Sequence, residues 1–371
     1  MATISTFDDW VDQFNAWIKD IGFDRSLIGD YTFSEKFGDL ESSEIEFGDY
    51  AGRPKWETVR QIPDQRIRDA LINLIVYQGD TEFASVEQQR RLIDCAPSEY
   101  DLRSYLRVTA EEMRHGWQMC HLLVNYFGDS GRREALKLLE RRAYQNSRLL
   151  GAFNLNVEHW VDFYTYTQFQ DRDGKYQLIM LSRSSFAPLA HSMGPMLQEE
   201  VFHLFTGNTG LTRILRAGRV PSALLQKYFN KWLPACFDLF GTDHSSSANW
   251  SYVWGLKGRF DEATAKEPAN KQTLNEDARG LYISECQNLI DVLNQHVPHG
   301  QPLLRLPSLK FNRRIGGDAN QPYSIDGKLL DREEYEKHLA EVLPGPEAQA
   351  QLEEIFKDPE WIVPVEVAQR V

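Results

Sequence analysis

The chain has 371 residues, of which 42% are hydrophobic and 12% aromatic, which is ample for a large core and too apolar for a disordered protein. Its formal net charge of −13 argues against a nucleic-acid-binding protein, since neutralisation of phosphates by cations supplies most of that affinity. The four cysteines form no Cys-x-x-Cys pair and no apolar run reaches membrane-spanning length, so we expect a cytoplasmic protein with reduced thiols and no membrane contact.

The chain begins with a predicted amphipathic helix and an irregular arm. Apolar residues from Trp10 to Ile21 recur at helical spacing, which indicates a short helix on the outside of the fold. Residues 24–62 are rich in Gly, Pro, Ser and acidic residues, a composition that favours a wrapping arm over a domain. We therefore expect residues 1–62 to lie against a helical domain at 63–300.

Four long helices are predicted in that domain. In chain order they comprise residues 64–93, residues 100–127, a stretch from 157 to about 174, and a stretch from Pro188 or Pro195 to Gly207. Gly174 is expected to kink or unwind the third helix, and Gly207 to end the fourth, because glycine is a common helix breaker. A further helix is predicted from Pro221 to Phe240.

Residues 301–371 form a predicted C-terminal appendage. Short alternating runs between 303 and 331 carry turn residues, among them Asp326-Gly327, and this pattern indicates a small β-hairpin. A charged helix is expected from 332 to 356.

Two copies of one motif lie in the second and fourth predicted helices. Glu112 precedes His115 by three residues, and Glu200 precedes His203 by three. Residues three apart share a helix face, so each pair directs a carboxylate and an imidazole to one point. A single Glu-x-x-His is common on solvated helices, but two in apolar helices are typical of four-helix bundles that hold two metal ions.

Such bundles need one further carboxylate from each of the other two helices. Glu82 lies 30 residues before Glu112 in the first helix, although taken alone it would be an ordinary solvated acid. Asp171 lies 29 residues before Glu200, whereas Asp173 lies 27 before it. If the two helical hairpins are alike, Asp171 is the better ligand candidate and Asp173 a turn residue.

The predicted fold is therefore all-α: a ferritin-like four-helix bundle with a di-metal carboxylate site, peripheral helices and a small C-terminal β-hairpin. Four carboxylates and two imidazoles without thiolates suit iron or manganese better than structural zinc or an iron–sulfur cluster. Four acids balance two divalent ions, which explains how such charges can be buried. The remaining candidates His121, His159 and His191 fall outside the pattern and are interpreted as ordinary histidines.

Several stretches around these residues resemble the oxygenase component of benzoyl-CoA 2,3-epoxidase, and the bundle is similar to the catalytic subunit of phenylacetyl-CoA epoxidase. The stretches that carry the resemblance are residues 82–90, 111–119, 171–178, 186–203 and 254–262. In the phenylacetyl-CoA enzyme the ligand from the third helix is an aspartate that aligns with Asp171, which agrees with the spacing. The resemblance implies that all six ligand positions are filled.

It further implies a di-iron epoxidase that inserts one oxygen atom of O2 across the ring of an aromatic acyl-CoA. Electrons would come from NADPH through a separate flavin and iron–sulfur reductase. The residues alone indicate a di-metal bundle, and the substrate follows from the resemblance.

Coenzyme A would bring several phosphate charges to an acidic protein, so local cations must offset the repulsion where it docks. Arg213 and Arg216 share one face of a helix and Arg219 follows them, while Lys257 and Arg259 lie close to Trp254 in sequence. The predicted substrate-binding residues are Arg213, Arg216, Lys257 and Arg259. A solvated charged face is the alternative explanation.

Three other classes of protein remain open from the residues. A ferritin-type iron oxidase or store is usually shorter and needs neither the aromatic arm nor the appendage. A radical-generating di-iron protein would need a tyrosine beside the metals, and the spacing does not exclude Tyr77, Tyr164 or Tyr166. A scaffold that has lost its ligands conflicts with the complete set of six.

Overall fold

A computed structural model of the chain describes residues 4–243 and 246–365, with only the backbone described at 246–248. The described residues contain no named β-strand and form eleven α-helices, joined by turns, short 3-10 segments and longer irregular stretches such as residues 29–58. The helices are α1 Phe7–Asp20, α2 Gln65–Gln89, α3 Glu99–Tyr126, α4 Gly128–Glu140, α5 Trp160–Leu181, α6 Ala187–Ala217, α7 Ser222–Leu239, α8 Ser246–Val253, α9 Leu274–Asn294, α10 Arg332–Val342 and α11 Pro346–Ile355. Within the described chain, no helix is both long and apolar enough to cross a membrane.

Two helical hairpins, α2 with α3 and α5 with α6, make up the centre of the molecule, and α3 packs against α6 to join them. Helix α2 is capped by Asp64, whose carboxylate accepts a hydrogen bond from the backbone N–H of Arg66. Helix α1 lies against α3 and α4 through a buried apolar face that includes Trp10, Phe14 and Trp17. This face follows the helical spacing of its aromatic residues, as the sequence predicts.

The fourth helix does not end at Gly207, and the prediction of its end is wrong by ten residues. Helix α6 continues to Ala217 and is capped by Gly218 in the left-handed conformation at φ 67°. A Cβ at Gly207 would lie 2.6 Å from the backbone nitrogen of Gln168 in α5. The glycine is therefore used for close packing of α6 on α5, not for termination.

Helix α5 likewise continues through Gly174 to Leu181, so the predicted break there is wrong. Gln177 donates a side-chain hydrogen bond to Asp173 one turn before it, which is compatible with an unbroken helix across the Asp-Gly step.

The C-terminal segment also departs from the prediction. The expected hairpin is reduced to one isolated antiparallel bridge between Tyr323 and Leu329 in the described chain. The segment before this bridge, around Leu304 and Arg305, makes its hydrogen bonds to side chains of other helices. The Asn294 amide donates to the carbonyl of Leu304 and accepts from its N–H, and Gln226 accepts from the backbone N–H of Arg305. These side-chain amides take the backbone groups that a partner strand would need.

The expected single helix at 332–356 is two helices, α10 and α11. Leu343, Pro344 and Gly345 separate them, because a proline within a helix removes a hydrogen bond and clashes with the preceding turn, whereas Pro346 is tolerated as the first residue of α11.

Candidate metal centre

The six predicted ligands come from all four central helices and lie buried in the molecule. Glu82 is on α2, Glu112 and His115 on α3, Asp171 on α5, and Glu200 and His203 on α6. Both imidazoles are fully buried, and none of the four acids is more than 7% exposed. Each Glu-x-x-His pair spans one helical turn, so the local helix alone places the two side chains together.

Two overlapping groups of ligand atoms lie close enough to hold metal ions. In the first, Glu82, Glu112 and His115 offer atoms within 4.8 Å of one another, and in the second Glu112, Glu200 and His203 do the same. His115 Nδ1 lies 3.4 Å from Glu82 Oε2, and His203 Nδ1 lies 3.4 Å from carboxylate oxygens of both Glu112 and Glu200. Glu112 belongs to both groups, which is the geometry a bridging carboxylate requires.

Buried polar atoms without hydrogen-bond partners mark the same place. They include Nδ1 of His115, Nδ1 of His203, Oε2 of Glu200 and Oδ2 of Asp171. A buried polar atom without a partner is destabilising, and in native proteins it calls for an explanation such as a bound ion. Imidazole nitrogen and carboxylate oxygen are also the donors that iron and manganese accept. The residues therefore fit a metal centre.

The acids of the cluster oppose one another electrostatically. Burial raises the pKa of Glu112 to about 8, and the neighbouring charge of Glu82 acts in the same direction. Burial and the charges of Glu112 and Glu200 raise the pKa of Asp171 well above its usual range. Like charges in a region of low dielectric constant cannot all ionise without cations nearby, so bound divalent cations would favour the charged forms.

A second pair of carboxylates, Glu199 and Glu111, contacts the two imidazoles at the ring nitrogen that faces away from the cluster. Nε2 of His115 on α3 lies 2.9 Å from Glu199 on α6, and Nε2 of His203 on α6 lies 3.1 Å from Glu111 on α3. An ionised carboxylate only accepts hydrogen bonds, so Nε2 carries the proton in each ring and Nδ1 is left as the free lone pair. Each histidine thus presents Nδ1 to the acids of the cluster.

These outer carboxylates are themselves paired with cations. Arg114, which is fully buried, donates to Glu199 at 2.8 Å, and Lys36 of the arm donates to the same side chain at 2.7 Å. Arg107 donates to Glu111 at 2.9 Å. Burial alone would lower the pKa of His115, but the carboxylates of Glu199 and Glu82 beside the ring raise it to about 9. Without a bound cation the ring is therefore protonated at both nitrogens near neutral pH, and a metal ion at Nδ1 would displace the proton there.

Sequence reasoning missed Glu111 and Glu199, although a signal was present. Each immediately precedes the glutamate of a Glu-x-x-His pair, so both motifs read Glu-Glu-x-x-His. Neighbouring residues on a helix point about 100° apart, and here the first glutamate faces the other helix of the pair while the second faces the cluster.

A cavity of about 720 Å³ lies beside the cluster, and Glu82, Glu112, Asp171 and Glu200 all line it. Helices α2 and α5 form its long walls, and the segment around Trp254 forms another. This volume is within the range of small-molecule binding sites.

Lys257 is the predicted substrate-binding cation that lines this cavity. Its ammonium donates to Gln177 Oε1 at 2.6 Å, and burial lowers its pKa to about 8. Asp173, also in the cavity wall, is hydrogen-bonded to Gln177, and burial raises the pKa of its carboxyl to about 7.

The other predicted cations lie elsewhere. Arg213 is buried at the far end of α6, where it binds both carboxylate oxygens of Asp101, at 2.6 and 3.1 Å. Arg216 is exposed on the same helix, and Arg259 lies beside Asp261 and Glu262. The structure does not bring Arg213 or Arg216 together with Lys257, and Arg259, two residues from Lys257 in sequence, contacts acids and is not among the residues that line the cavity. Arg213 lies at the level of Tyr164, whose hydroxyl also binds Asp101, and thirteen residues of α5, about 20 Å, separate that level from Gln177.

The three tyrosines with suitable spacing have different surroundings. Tyr77 is about half exposed at the cavity wall, and Tyr164 donates to Asp101 at 2.7 Å, away from the cavity. Tyr166 is buried and lines the cavity, and burial together with the charge of Asp171 raises its pKa well above the usual range.

The three histidines interpreted as ordinary all have partners outside the cluster. His121 lies 2.8 Å from Glu35, His159 lies 2.7 Å from the hydroxyl of Tyr228, and His191 lies 2.6 Å from the carbonyl of Gly38.

Comparison with known protein families gives the evolutionary context of this site. The sequence model described as "Phenylacetic acid catabolic protein" matches residues 57–301, which include all six candidate ligands. The chain belongs to this family. It is 36% identical over 347 residues to benzoyl-CoA oxygenase component B of Aromatoleum evansii, covering 81% of this chain and 72% of that relative. The resemblance inferred from the sequence is thereby confirmed.

A more distant relative is one of the subunits of 1,2-phenylacetyl-CoA epoxidase from Escherichia coli (strain K12). It is 23% identical over 252 residues, covering 67% of this chain and 73% of that protein. The names of both relatives describe parts of multi-component enzymes that act on aromatic thioesters of coenzyme A.

Proposed function

We propose that this chain is the oxygenase component of an enzyme that epoxidises the ring of an aromatic acyl-CoA, with a di-iron centre at the cluster of acids and histidines. The observation that carries the proposal is the convergence of two Glu-x-x-His pairs and Glu82 in two overlapping groups of ligand atoms, with Asp171 beside them in the wall of a cavity of about 720 Å³. The two relatives, whose names specify benzoyl-CoA and phenylacetyl-CoA, support the substrate class.

The proposed ligands are the six residues predicted from the sequence: Glu82, Glu112, His115, Asp171, Glu200 and His203. Glu112 is shared between both groups of ligand atoms, and Glu200 has oxygens 3.7 Å from Nδ1 of His115 and 3.4 Å from Nδ1 of His203, so these two carboxylates would hold both ions. Two iron ions bound there would supply the reduction of O2. The overall reaction consumes O2, two electrons and two protons, adds one oxygen atom to the ring and releases the other as water.

The chain's own residues hold the ligands in position. Glu199 and Glu111 accept from Nε2 of the two histidines, fix the ring orientation and leave Nδ1 as the metal-binding atom. Gln78 donates to Glu82 at the cavity wall and orients that carboxylate. The two histidine ligands would therefore be oriented before metal binding, by hydrogen bonds between α3 and α6.

Electrons for the reaction must come from outside the chain. We propose a separate flavin and iron–sulfur reductase that uses NADPH as the partner component. This proposal agrees with the relatives' names, which describe one as a component and the other as a subunit of a larger enzyme and so imply companion proteins.

The proposal is tested by anaerobic loading with Fe(II), chemical reduction and exposure to 18O2 in the presence of aromatic acyl-CoA thioesters, with mass analysis of the products. We expect one 18O atom in the thioester product. The His115→Ala, His203→Ala double variant should give none. Oxidation of iron in excess of two per chain, with no oxygenated thioester, would instead indicate an iron-storage protein.

A further inference from the structure

Three polar side chains on the cavity wall are not explained by the proposed metal centre. Lys257 donates to Gln177 Oε1 at 2.6 Å, and Gln177 Nε2 donates to Asp173 Oδ1 at 3.1 Å. All three residues line the cavity, and Asp173 is only 3% exposed. Next to them the wall includes the apolar side chains of Trp254 and Leu178, and a linked cation, amide and acid at such a place indicates a specific polar recognition point.

The distance of this cluster from the proposed metal ligands limits what it can bind. At 1.5 Å per residue along α5, Asp173 lies about 3 Å and Gln177 about 9 Å beyond Asp171. With covalent bonds of about 1.5 Å, the first amide of a thioester arm lies about 8 Å from the reacting ring, and the first phosphate of coenzyme A about 20 Å away. For a ring that lies beside Asp171, the cluster is therefore at about the distance of the first amide and well short of the first phosphate.

The hydrogen-bonding capacity of the cluster suits an amide. An ammonium has three donors, of which Gln177 takes one from Lys257, and a carboxylate accepts at about four positions, of which Gln177 uses one at Asp173. A secondary amide presents one N–H and one carbonyl oxygen. An amide brought into a largely apolar cavity must find both partners, because an unpaired buried polar group costs about 1–3 kcal/mol.

We propose that Asp173 and Lys257, linked by Gln177, form a subsite for the first amide of the pantetheine arm of the substrate. Asp173 accepts from the amide N–H and Lys257 donates to the amide carbonyl. The subsite rests on the proposed function, since it presupposes an aromatic thioester whose ring lies beside Asp171. It reassigns Lys257 from the phosphates of coenzyme A to the arm that connects them to the thioester.

The test measures equilibrium binding to the iron-loaded protein without O2, so that no turnover occurs. The ligands are the benzoyl thioesters of coenzyme A, of pantetheine, and of a pantetheine analogue whose first amide N–H is replaced by an ester oxygen. The wild-type protein should bind the amide at least tenfold more tightly than the ester. The Asp173→Leu variant should remove this discrimination and keep its iron.

The Lys257→Met variant should bind the pantetheine thioester and the coenzyme A thioester more weakly than the wild-type protein does, by the same factor of about tenfold. Arg259→Met is the matched control, because that cation lies two residues away beside Asp261 and Glu262, and it should leave all affinities unchanged. A loss at Lys257→Met confined to coenzyme A would assign the lysine to the phosphates and overturn the subsite. Equal wild-type affinity for amide and ester would also overturn it.

Failure of the subsite and failure of the proposed function give different results. If the wild-type protein binds none of the aromatic thioesters, including that of coenzyme A, the proposed function fails and the subsite with it. If it binds the coenzyme A thioester but does not distinguish amide from ester, the subsite alone is wrong.

Discussion

His115 Nε2 on α3 lies 2.9 Å from Glu199 on α6, and the same contact is made in the opposite direction by His203 on α6 and Glu111 on α3, at 3.1 Å. Each helix therefore provides a metal-ligand candidate and the carboxylate that orients the other helix's imidazole. The two Glu-Glu-x-x-His motifs depend on each other, so neither half of the site is complete alone.

The first prediction concerns these reciprocal contacts between the histidines and the outer carboxylates. Glu111→Gln should weaken Fe(II) binding about 10- to 100-fold, as loss of an outer carboxylate does in other metal sites, with the helical fold retained. Glu99→Gln is the matched control, because Glu99 also pairs with an arginine four residues away on α3 but lies near the start of that helix, away from the cluster. Competition with a fluorescent chelator measures both affinities. Equal affinities in the two variants would show that Glu111 does not support the metal.

The second prediction separates Asp171 from Asp173. Asp171 has a buried oxygen without a hydrogen-bond partner, whereas Asp173 is bonded to Gln177. Asp171→Asn should abolish oxygenation even at saturating substrate, whereas Asp173→Asn, whose amide oxygen can still accept a hydrogen bond from the substrate, should keep its iron and form product at saturating substrate, measured by iron analysis and product mass. The opposite order of effects would show that the metal ligand on α5 is Asp173 and not Asp171.

The third prediction assigns Arg213 a structural role. Arg213→Met leaves Asp101 as an unpaired buried charge, so the free energy of unfolding should fall by about 3–5 kcal/mol. Arg216→Met, on the exposed face of the same helix, should change it by less than about 0.5 kcal/mol. Urea unfolding measures both. If Arg216→Met instead raises the KM for the thioester, the end of α6 does contact coenzyme A.

The fourth prediction is a pH dependence at His159, the cap of α5. Burial, aided by Lys231 and opposed by Asp162, lowers the pKa of His159 to about 4. The unfolded chain, with a histidine pKa of about 6.5, takes up the proton first as pH falls, so this group reduces stability as pH falls from 6.5 towards 4. Between pH 7 and pH 5 the loss should be about 2 kcal/mol.

Asparagine also caps helices well, so His159→Asn should keep the cap but lose this titration. Urea unfolding of both proteins at pH 7 and pH 5 separates the effect of His159 from that of all the other titrating side chains, which the two proteins share. An identical stability difference between the two pH values in both proteins would contradict the prediction.

The candidate ligands could be found from sequence because their placement depends on short-range geometry. Three residues along a helix bring Glu112 to His115 and Glu200 to His203 whatever the rest of the chain does. Glu82 and Asp171 followed from the similar lengths of the two hairpins.

The features that sequence reasoning missed depend on contacts between helices. Glycine often ends a helix, but Gly207 lies inside α6 and packs closely on the backbone of α5. Nothing in its local sequence distinguishes a helix end from a close packing contact. The exchange between Glu111 and Glu199 requires the register of α3 against α6. Arg213 had the same local pattern as a surface cation, and only the position of Asp101 on α3 explains its burial.

The di-iron centre is tested most directly by the position and number of metal ions in crystals of the iron-loaded protein, located by anomalous diffraction at the iron edge. We expect two iron peaks, about 3.5–4 Å apart as in two-metal sites, with Glu112 and Glu200 between them and Nδ1 of each histidine as a ligand. A single peak, or iron bound away from these residues, would contradict this expectation.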